Sequence, residues 1–551
     1  MSGAGFTTRA RIAPGATVGS GALGRYRRLA PAVGEPHQVR TDLVGGSAAM
    51  AASTRGRPIL VLGHVTDLQL TDVQSPTRFE YLNRGFGDPR YRKIIPVQRP
   101  QEALTAHAVD ATVRTLNALE GGPTSGAPID FVVTTGDAID NAQWNELEAF
   151  LALFDGGPVR LDSGTPGYEG VQSRDWPDDI FWIPDGDTPF GPDWFRRNYG
   201  YPVHSGLIEA ALREFSASGL QVPWLACFGN HEALNQGVGA ITPALIEAMT
   251  GGRKPVRLPD DFDHDRAYEI FVDHPEEMFA AQTRLVTPDP GRRAVSRREF
   301  VTAHFRSGAR PDGHGFTTSN RSEGTAYYVH DTPSVRLIAL DTTCLAGGAD
   351  GCIDEVQARW LEQSLTEVHS RYVDAAGREV TTGNDDRLVL LFSHHGLETL
   401  VNDRSHEGPE LVPLLGVDSV LPLLHRFPNV VLWLNGHTHT NGIRVRHDPS
   451  VPGRGFWEVT TCAVVDWPCQ TRVVELIDNL NGTLSIVCTM LDHDSPLGAD
   501  SAMSSSDLAA LHRELAGNVP WAGFDASLAG GPLDRNVELR VSAPFDLSRL
   551  Q

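Results

Sequence analysis

Cysteine and lysine are scarce in this sequence. Only 6 of its 551 residues are cysteine, and they form no CxxC or Cys/His pattern of the kind that binds zinc. Cys344 with Cys352, and Cys462 with Cys469, are close enough in sequence to form disulfides, but we expect the reduced thiols of a cytosolic protein. Lysine occurs twice among 47 basic residues, an arginine bias that a GC-rich genome would produce without a functional cause.

Basic residues and long apolar runs are also few. The chain has 69 acidic and 47 basic residues, a net charge of −22, so we expect neither nucleic acid nor an anionic membrane as a partner. No run approaches the ~18 apolar residues of a membrane span, and residues 1–21 lack the apolar core of a secretory signal. These absences predict a soluble, cytoplasmic protein and leave its oligomeric state open.

The sequence does contain a series of short apolar runs, each followed by a polar residue. Continuous apolar runs of this length are typical of strands buried on both faces. The runs are 59–65, 131–134, 224–228, 388–392 and 430–434. Helical patterns alternate with them at 102–119, 144–154, 207–218, 355–367 and 411–426. This alternation predicts an α/β fold, in which ligands bind at the carboxyl ends of strands.

Further patterns complete the predicted architecture. We expect another strand at Val335–Leu340, and antiparallel strands at 455–461, 472–477 and 483–489, the last two joined by a tight AsnGly turn. The sheet is therefore predicted to be mixed. We divide the chain into an N-terminal extension, a catalytic domain with long loop insertions, and a C-terminal appendage: residues 1–57, 58–495 (insertions at about 155–205 and 235–325) and 496–551.

The polar residues at the strand ends are all oxygen or imidazole donors. Two divalent cations about 4 Å apart need a bridging carboxylate, further oxygen and nitrogen ligands, and open positions for water and substrate. The strand ends supply donors of each type. They are Asp67 and Gln69 in TDLQLTD, Asp137 in GDAIDN, Asn230 and His231 in GNHE, His394 and His395 in SHHG, and His437 and His439 in GHTH.

In this order the motifs resemble those of the calcineurin-like metallophosphoesterases, which are DxH, GDxxD, GNHE or GNHD, a single His, and GHxH. The resemblance covers roughly residues 58–490. It implies a four-layer sandwich, with two mixed β-sheets flanked by helices, and a dinuclear metal centre. It also implies a phosphatase or phosphodiesterase that hydrolyses a phosphomonoester, phosphodiester or nucleotide diphosphate linkage by metal-activated hydroxide.

The resemblance also assigns residues, position by position. The first metal would take Asp67, Gln69, Asp137 and His439, and the second would take Asp137 as a bridge, Asn230, His394 and His437. His231 would be catalytic, assisting the leaving group without binding metal. Alignment of the strand end favours His394 over His395 as the single His of the family.

Gln69 departs from the family pattern, which has His at this position. A Gln amide oxygen is a harder and weaker donor than imidazole, so the first site should favour Mn, Mg or Fe over Zn. We therefore expect two divalent or transition metal ions, with Mn or Fe favoured. Some members of the family that act on nucleotide diphosphate linkages also have Gln here, so the departure is compatible with an active enzyme.

Other polar residues near the motifs have plainer interpretations. Asp72 and Asp140 are expected to orient ligands or turns, and Asp341 to form a turn. His64 is expected to be structural. AspTrpPro at 466–468 is expected to pack, with lining of the pocket as the alternative. Four arginines lie in the loop after the first motif, and binding of phosphate and simple solvation of the loop are equally good interpretations of them. They are Arg78, Arg84, Arg90 and Arg92.

The sequence therefore predicts a hydrolase of small phosphate esters. A metal-dependent nuclease is one alternative, but the net charge of −22 opposes it. A scaffold with a degenerate metal site is the other, and Gln69 is its only support. The substrate is not identified, because the long insertions that would shape the pocket follow no recognised pattern.

Overall fold

The computed structural model describes residues 5–44, 56–279, 282–306, 308–404, 414–498, 503–524 and 526–550. Their α-helices are α1 (Thr105–Asn117), α2 (Trp144–Asp155), α3 (Trp194–Tyr199), α4 (Leu207–Leu212), α5 (Pro243–Met249), α6 (Ala267–Asp273), α7 (Arg297–Ala303), α8 (Thr318–Glu323), α9 (Glu355–Thr366), α10 (Val417–His425), α11 (Ser505–Asn518) and α12 (Ala526–Ala529).

The strands of these residues fall into several sheets. In chain order they are β1 (Gly5–Phe6), β2 (Ala10–Ser20), β3 (Arg25–Val33), β4 (Gln38–Leu43), β5 (Arg57–Val65), β6 (Phe131–Thr134), β7 (Gly157–Val159), β8 (Phe215–Ala217), β9 (Trp224–Leu225), β10 (Arg253–Pro255), β11 (Thr283–Leu285), β12 (Tyr328–Asp331), β13 (Val335–Leu340), β14 (Ile353–Asp354), β15 (Arg371–Val373), β16 (Glu379–Thr381), β17 (Leu388–Ser393), β18 (Leu414–Leu415), β19 (Val430–Asn435), β20 (Gly442–His447), β21 (Gly455–Thr460), β22 (Gln470–Asp478), β23 (Thr483–Asp492) and β24 (Val537–Ser542).

Two large sheets carry the strand ends of interest. The first has the order β4-β24-β23-β22-β5-β6-β9, with β1 also paired to β23. Its strands β5, β6 and β9 are parallel, and β22 is antiparallel to β5. The second has the order β12-β13-β17-β19-β21-β20, with a parallel centre from β13 to β21 and antiparallel strands at both edges. Both sheets are mixed, as predicted.

A common hydrophobic core joins the two sheets. One cluster of buried side chains includes Leu62 and Val132 of the first sheet together with Leu390 and Leu432 of the second. Alternate residues of the second sheet, such as Leu391, belong to another cluster with residues of α9 and α10. The central strands of the second sheet are thus buried on both faces, which explains why β17 and β19 are continuous apolar runs.

Most predicted elements are present, but three are shorter than expected. The predicted helix at 207–218 ends at Leu212, and Phe215–Ala217 instead forms β8, antiparallel to β7. Tertiary pairing therefore overrides a helical pattern there. The predicted strand at 224–228 ends at Leu225. Residues 411–413 of the predicted helix at 411–426 lie outside the described residues, but Leu414–Leu415 forms β18, which pairs with β14, and the helix begins only at Val417.

Both ends of the chain contribute to the first sheet. β1 and β4 come from the first 57 residues, and β24 pairs with β23 and β4. The proposed three-part division of the chain stays a prediction. The six cysteines are buried free thiols. Within the described residues, no helix is both long and apolar enough to cross a membrane.

We expect β24 to be part of the cooperative core. Leu539 is 0% exposed, so Leu539→Ala should remove about 2–5 kcal/mol from the free energy of unfolding. Val33→Ala is the control, because Val33 is 85% exposed and should change stability little. Equal denaturation midpoints for the two variants would contradict this assignment.

Candidate metal centre

The predicted donors follow strands of both large sheets. Asp67, Asp137 and Asn230 follow β5, β6 and β9 of the first sheet, whereas His394 and His437 follow β17 and β19 of the second. Backbone hydrogen bonds join the first two loops, from the Gln69 amide to the Asp137 carbonyl (2.8 Å) and from the Asp67 amide to the Gly136 carbonyl (3.2 Å). Side chains far apart in sequence therefore converge at one place.

The backbone turns sharply at the donors. Five of the predicted ligands have a positive φ, which non-glycine residues rarely adopt: Asp67 (52°), Gln69 (44°), Asp137 (53°), His437 (68°) and His439 (57°). Such strain persists only where surrounding structure enforces it, and it concentrates at functional sites. Here it turns side chains at the strand ends toward a common centre.

The donor atoms are mutually close. One ligand atom each from Asp67, Asp137 and His394 lie within 4.8 Å of one another, and all three residues are buried. His394 Nε2 lies 3.0 Å from Asp137 Oδ2. His439 Nε2 lies 3.3 Å from Asp67 Oδ1. Oxygen and imidazole donors at this spacing are suited to a divalent cation.

Four of the predicted ligands each bury an atom without a geometrically formed hydrogen bond among the described residues, although two of these atoms face an ionisable group of the same site at 3.0 and 3.3 Å. The four atoms are Asp67 Oδ1, Gln69 Oε1, Asn230 Oδ1 and His394 Nε2. A buried polar atom without a partner costs about 1–3 kcal/mol, and a group of them needs a common explanation. Bound cations would satisfy all four atoms at once, so the residues present fit a metal centre.

Each of these side chains is held in orientation by its other polar atom. Asn230 Nδ2 donates to the Gly237 carbonyl (2.9 Å), which leaves Oδ1 free. His394 Nδ1 contacts the Thr135 carbonyl (2.7 Å), which leaves Nε2 facing the carboxylates. Gln69 Nε2 lies 3.1 Å from His231 Nε2 and 3.4 Å from His439 Nε2, so its amide belongs to the same group.

His395 is placed differently from His394. Its Nδ1 contacts the Thr342 hydroxyl (2.9 Å) and its Nε2 contacts the Ala349 carbonyl (2.8 Å), so both ring nitrogens have partners. Its ring packs against that of His437, with centroids 4.3 Å apart. One nitrogen each of His394, His395 and His437 lies within 4.8 Å of the others. Both nitrogens of His395 already have partners, however, whereas His394 Nε2 faces the Asp137 carboxylate.

A carboxylate stands behind His439. Asp466 Oδ2 lies 2.6 Å from His439 Nδ1, and Arg99 contacts the same carboxylate at 2.9 and 3.1 Å. A carboxylate on the far nitrogen fixes the ring and increases its basicity as a ligand. The sequence interpretation of 466–468 as packing missed this role. The only sequence signal was an acidic residue in a loop just beyond the final motif.

His231 has a similar support. Its Nδ1 lies 2.7 Å from the Asp140 carbonyl and 3.3 Å from Asp140 Oδ1, and its backbone amide donates to Asp137 Oδ1 (2.9 Å). Asp140 in turn lies 3.3 Å from the guanidinium of the buried Arg78. Asp140 thus holds the orientation of the His231 ring.

Glu232, the last residue of GNHE, organises the turn after β6. Its carboxylate is fully buried and accepts from the backbone amides of Asp137 (2.9 Å), Gly229 (2.6 Å), Ala138 (2.6 Å) and Ile139 (3.3 Å). Burial and the nearby Asp137 raise the pKa of Glu232 to about 7. This scaffolding role, too, was not predicted.

The electrostatics of the site are dominated by the aspartates. Burial opposes protonation of His439, but Asp67 and Asp466 outweigh it and raise the pKa of His439 to about 10. In the same way, Asp137 raises the pKa of His394 to about 9. By contrast, burial and the adjacent His394 lower the pKa of His437 to about 3. The negative charge of Asp67 and Asp137 is therefore what a cation would compensate.

A cavity of about 170 Å³ opens beside the donors. Gln69, His231 and His439 line one part of it, and the segment from Arg92 to Val97 lines another. A larger cavity of about 670 Å³ lies elsewhere, lined by residues that include Tyr81, Arg84, Arg90, Tyr91 and His264. It contains none of the predicted donors.

Several other polar residues have structural partners. His64 is buried between the hydroxyls of Thr135 and Thr461, as expected for a structural histidine. Asp72 pairs with the buried Arg292 at 3.0 Å. Asp341 accepts from the Thr343 amide (3.1 Å), as a turn-forming acid does.

Comparisons with known proteins give little further information. No family model and no curated protein sequence matches the chain. Solved structures do match, among them one titled "Structure of PhoD", with 10% sequence identity over 84% of this chain and 70% of that chain. Its TM-score is 0.28, too low to support any inference about fold or activity. The case for function therefore rests on the geometry of the site.

We expect Asp466→Asn to weaken metal binding by about 10–100-fold, because His439 loses its charged support. Titration calorimetry with Mn²⁺ measures the change. The matched control is Asp331→Asn, since Asp331 also pairs with arginines, Arg336 and Arg387, but at the edge of the second sheet. Equal Mn²⁺ affinities in the two variants would show that Asp466 does not contribute to metal binding through His439.

Proposed function

We propose that this protein is a metal-dependent hydrolase of phosphate esters, with two metal ions bound where the strand ends of the two sheets meet. The observation that carries the proposal is the convergence of carboxylate, amide and imidazole donors from both sheets, in which four buried donor atoms form no hydrogen bond among the described residues. All four belong to the seven residues proposed as ligands from the sequence alone. The two mixed sheets and the helices that pack on them are compatible with the four-layer sandwich proposed from the motifs.

Two overlapping ligand sets divide the donors. Asp67, Gln69, Asp137 and His439 would hold one ion, and Asp137, Asn230, His394 and His437 would hold the other. The amide and carboxylate oxygens favour Mn or Fe over softer metals. When bound, such ions lower the pKa of water and neutralise charge on phosphoryl oxygens.

His231 is the proposed general acid. It lines the cavity next to the donors, and Asp140 fixes its ring. Burial lowers the pKa of His231, but Asp137 and Asp140 outweigh that effect and hold the pKa above its usual value. The raised pKa favours the protonated ring, and Nε2 is the nitrogen that would donate to the departing oxygen, because Nδ1 contacts the Asp140 carbonyl.

The two alternative functions have less support. A nuclease needs a stripe of free basic residues, yet three of the four loop arginines are in ion pairs: Arg78 with Glu102, Arg84 with Asp178, and Arg90 with Asp88. A degenerate scaffold would have no need for convergent, strained and unsatisfied donors.

Metal analysis with activity assays tests the proposal. The reconstituted protein should bind about two equivalents of metal and lose activity on nitrophenyl phosphates with chelator, because two ligand sets are present. His231→Ala should keep its metal and lose turnover by about 10²–10⁴-fold. Asp137→Asn should lose metal, because it removes the bridging charge.

Elemental analysis of both variants is the decisive measurement. If neither Mn, Fe nor Zn binds the wild-type protein at saturation, the metal centre does not exist. If His231→Ala and Asp137→Asn lose metal equally, the roles assigned to these two residues are wrong.

Gln69→His tests the first ligand set separately. Imidazole is a softer donor than an amide oxygen, so this variant should bind Zn²⁺ more tightly relative to Mn²⁺, with equal or lower turnover. Gln236→His is a matched control, since Gln236 lines the same cavity outside the proposed ligand set. Unchanged affinities for both metals in Gln69→His would show that Gln69 is not a ligand.

A further inference from the structure

We propose that Arg92 and Lys93 form a second anion-binding subsite beside the metal centre. This subsite would select phosphate esters that carry another anionic group, a phosphate or a carboxylate, next to the scissile phosphorus. The inference rests on the proposed function, because the metal centre must hold the first phosphoryl group.

The position of the two residues is the first argument. Both line the cavity of about 170 Å³ that Gln69, His231 and His439 also line. Both side chains are exposed, whereas the donors opposite them are largely buried. Arg92 and Lys93 therefore form the outer rim of a cavity whose inner wall is the metal centre.

The free charge of the two residues is the second argument. Among the described residues, no carboxylate oxygen lies within ion-pair distance of Arg92 or Lys93, although Arg84 and Arg90 of the same segment are both paired. Lys93 Nζ instead lies 5.1 Å from the ring centre of Tyr268. The third cation of the cavity, Arg99, is committed to Asp466. Lys93 also attracts the Asp350 carboxylate, whose pKa burial raises and Lys93 lowers. Within the described part of the chain, Arg92 and Lys93 are thus cations without an ion pair that line the cavity, in a protein of net charge −22.

The size of the cavity is the third argument. Pockets that enclose a small organic ligand usually measure about 300–1,000 Å³, so a cavity of about 170 Å³ holds a phosphoryl group but not a whole nucleotide. The remainder of a substrate must leave the cavity across its rim. The group next to the scissile phosphorus would then lie beside Arg92 and Lys93. A guanidinium binds phosphate or carboxylate in bidentate geometry, so a second anionic group would be favoured there.

Steady-state kinetics with three substrates tests the subsite in the metal-loaded protein. Phenyl phosphate has one anionic group, phenyl diphosphate adds a phosphate, and 2-phosphoglycolate adds a carboxylate. We expect wild-type kcat/KM for at least one of the last two to exceed that for phenyl phosphate by about tenfold or more. Arg92→Ala and Lys93→Ala should each reduce that preference by about 10–100-fold, the usual effect of losing a hydrogen bond to a charged group.

The choice between the two anions is part of the same measurement. A preference for phenyl diphosphate alone identifies phosphate as the second group, and a preference for 2-phosphoglycolate alone identifies carboxylate. Arg90→Ala is the matched control, because Arg90 lies two residues away, is exposed and pairs with Asp88. It should leave the preference unchanged.

The proposal is overturned if Arg92→Ala and Lys93→Ala lower all three rates equally, or change none of them. If metal is bound but no substrate is hydrolysed, the proposed function is wrong. The anion affinity of the metal-loaded protein then tests whether the subsite exists. Calorimetry then compares inorganic phosphate with methylenediphosphonate. A tenfold or greater loss of affinity for methylenediphosphonate alone in Arg92→Ala supports the subsite, and equal affinities reject it.

Discussion

Two aspartates, Asp67 and Asp137, lie fully buried at the ends of neighbouring parallel strands. Placing two carboxylates this close in the interior is costly unless positive charge or hydrogen bonds compensate them. The surrounding groups supply that compensation from every side. His394 and His439 face the carboxylates, and the amides of His231 and His437 donate to them. The rest of the site can be understood as the set of contacts that holds these two charges in place for cations.

The same requirement explains the backbone around the site. In an extended strand, side chains two residues apart point to the same face but start about 7 Å apart, so the chain must bend between two such donors to bring them onto one centre. Asp67 and Gln69, and likewise His437 and His439, achieve this with left-handed backbone conformations. The strain is balanced by local hydrogen bonds, such as those from the Asp137 and Ala138 amides to Glu232. The buried Glu232, which is outside the proposed ligand set, thus fixes the turn that carries Asp137.

What could be predicted from the sequence depended on how local the signal was. The strands Phe131–Thr134 and Val335–Leu340 were predicted to the residue, because a fully buried strand is a short continuous apolar run. The donors could be proposed because each lies in a motif that follows such a run. Asp466 and Arg99 were missed, since they are 367 positions apart and meet only in the folded chain. The helical pattern at 207–218 failed for a related reason, as pairing of β8 with β7 is a tertiary contact.

The loop after the first donors joins the metal centre to the rim of the cavity. Arg78, buried in this loop, contacts both Glu102 (2.7 Å) and Asp140 (3.3 Å), and Asp140 orients His231. Glu80, two residues further along the loop, accepts a hydrogen bond from the buried Lys254 (2.8 Å), which gives the loop a second anchor. Buried ion pairs of this kind hold a geometry more surely than they add stability. Because the start of the loop is fixed to the residue that orients His231, the exposed Arg92 and Lys93 are presented at a defined place relative to the donors. A protein of net charge −22 can thereby place two cations at the opening of one small cavity.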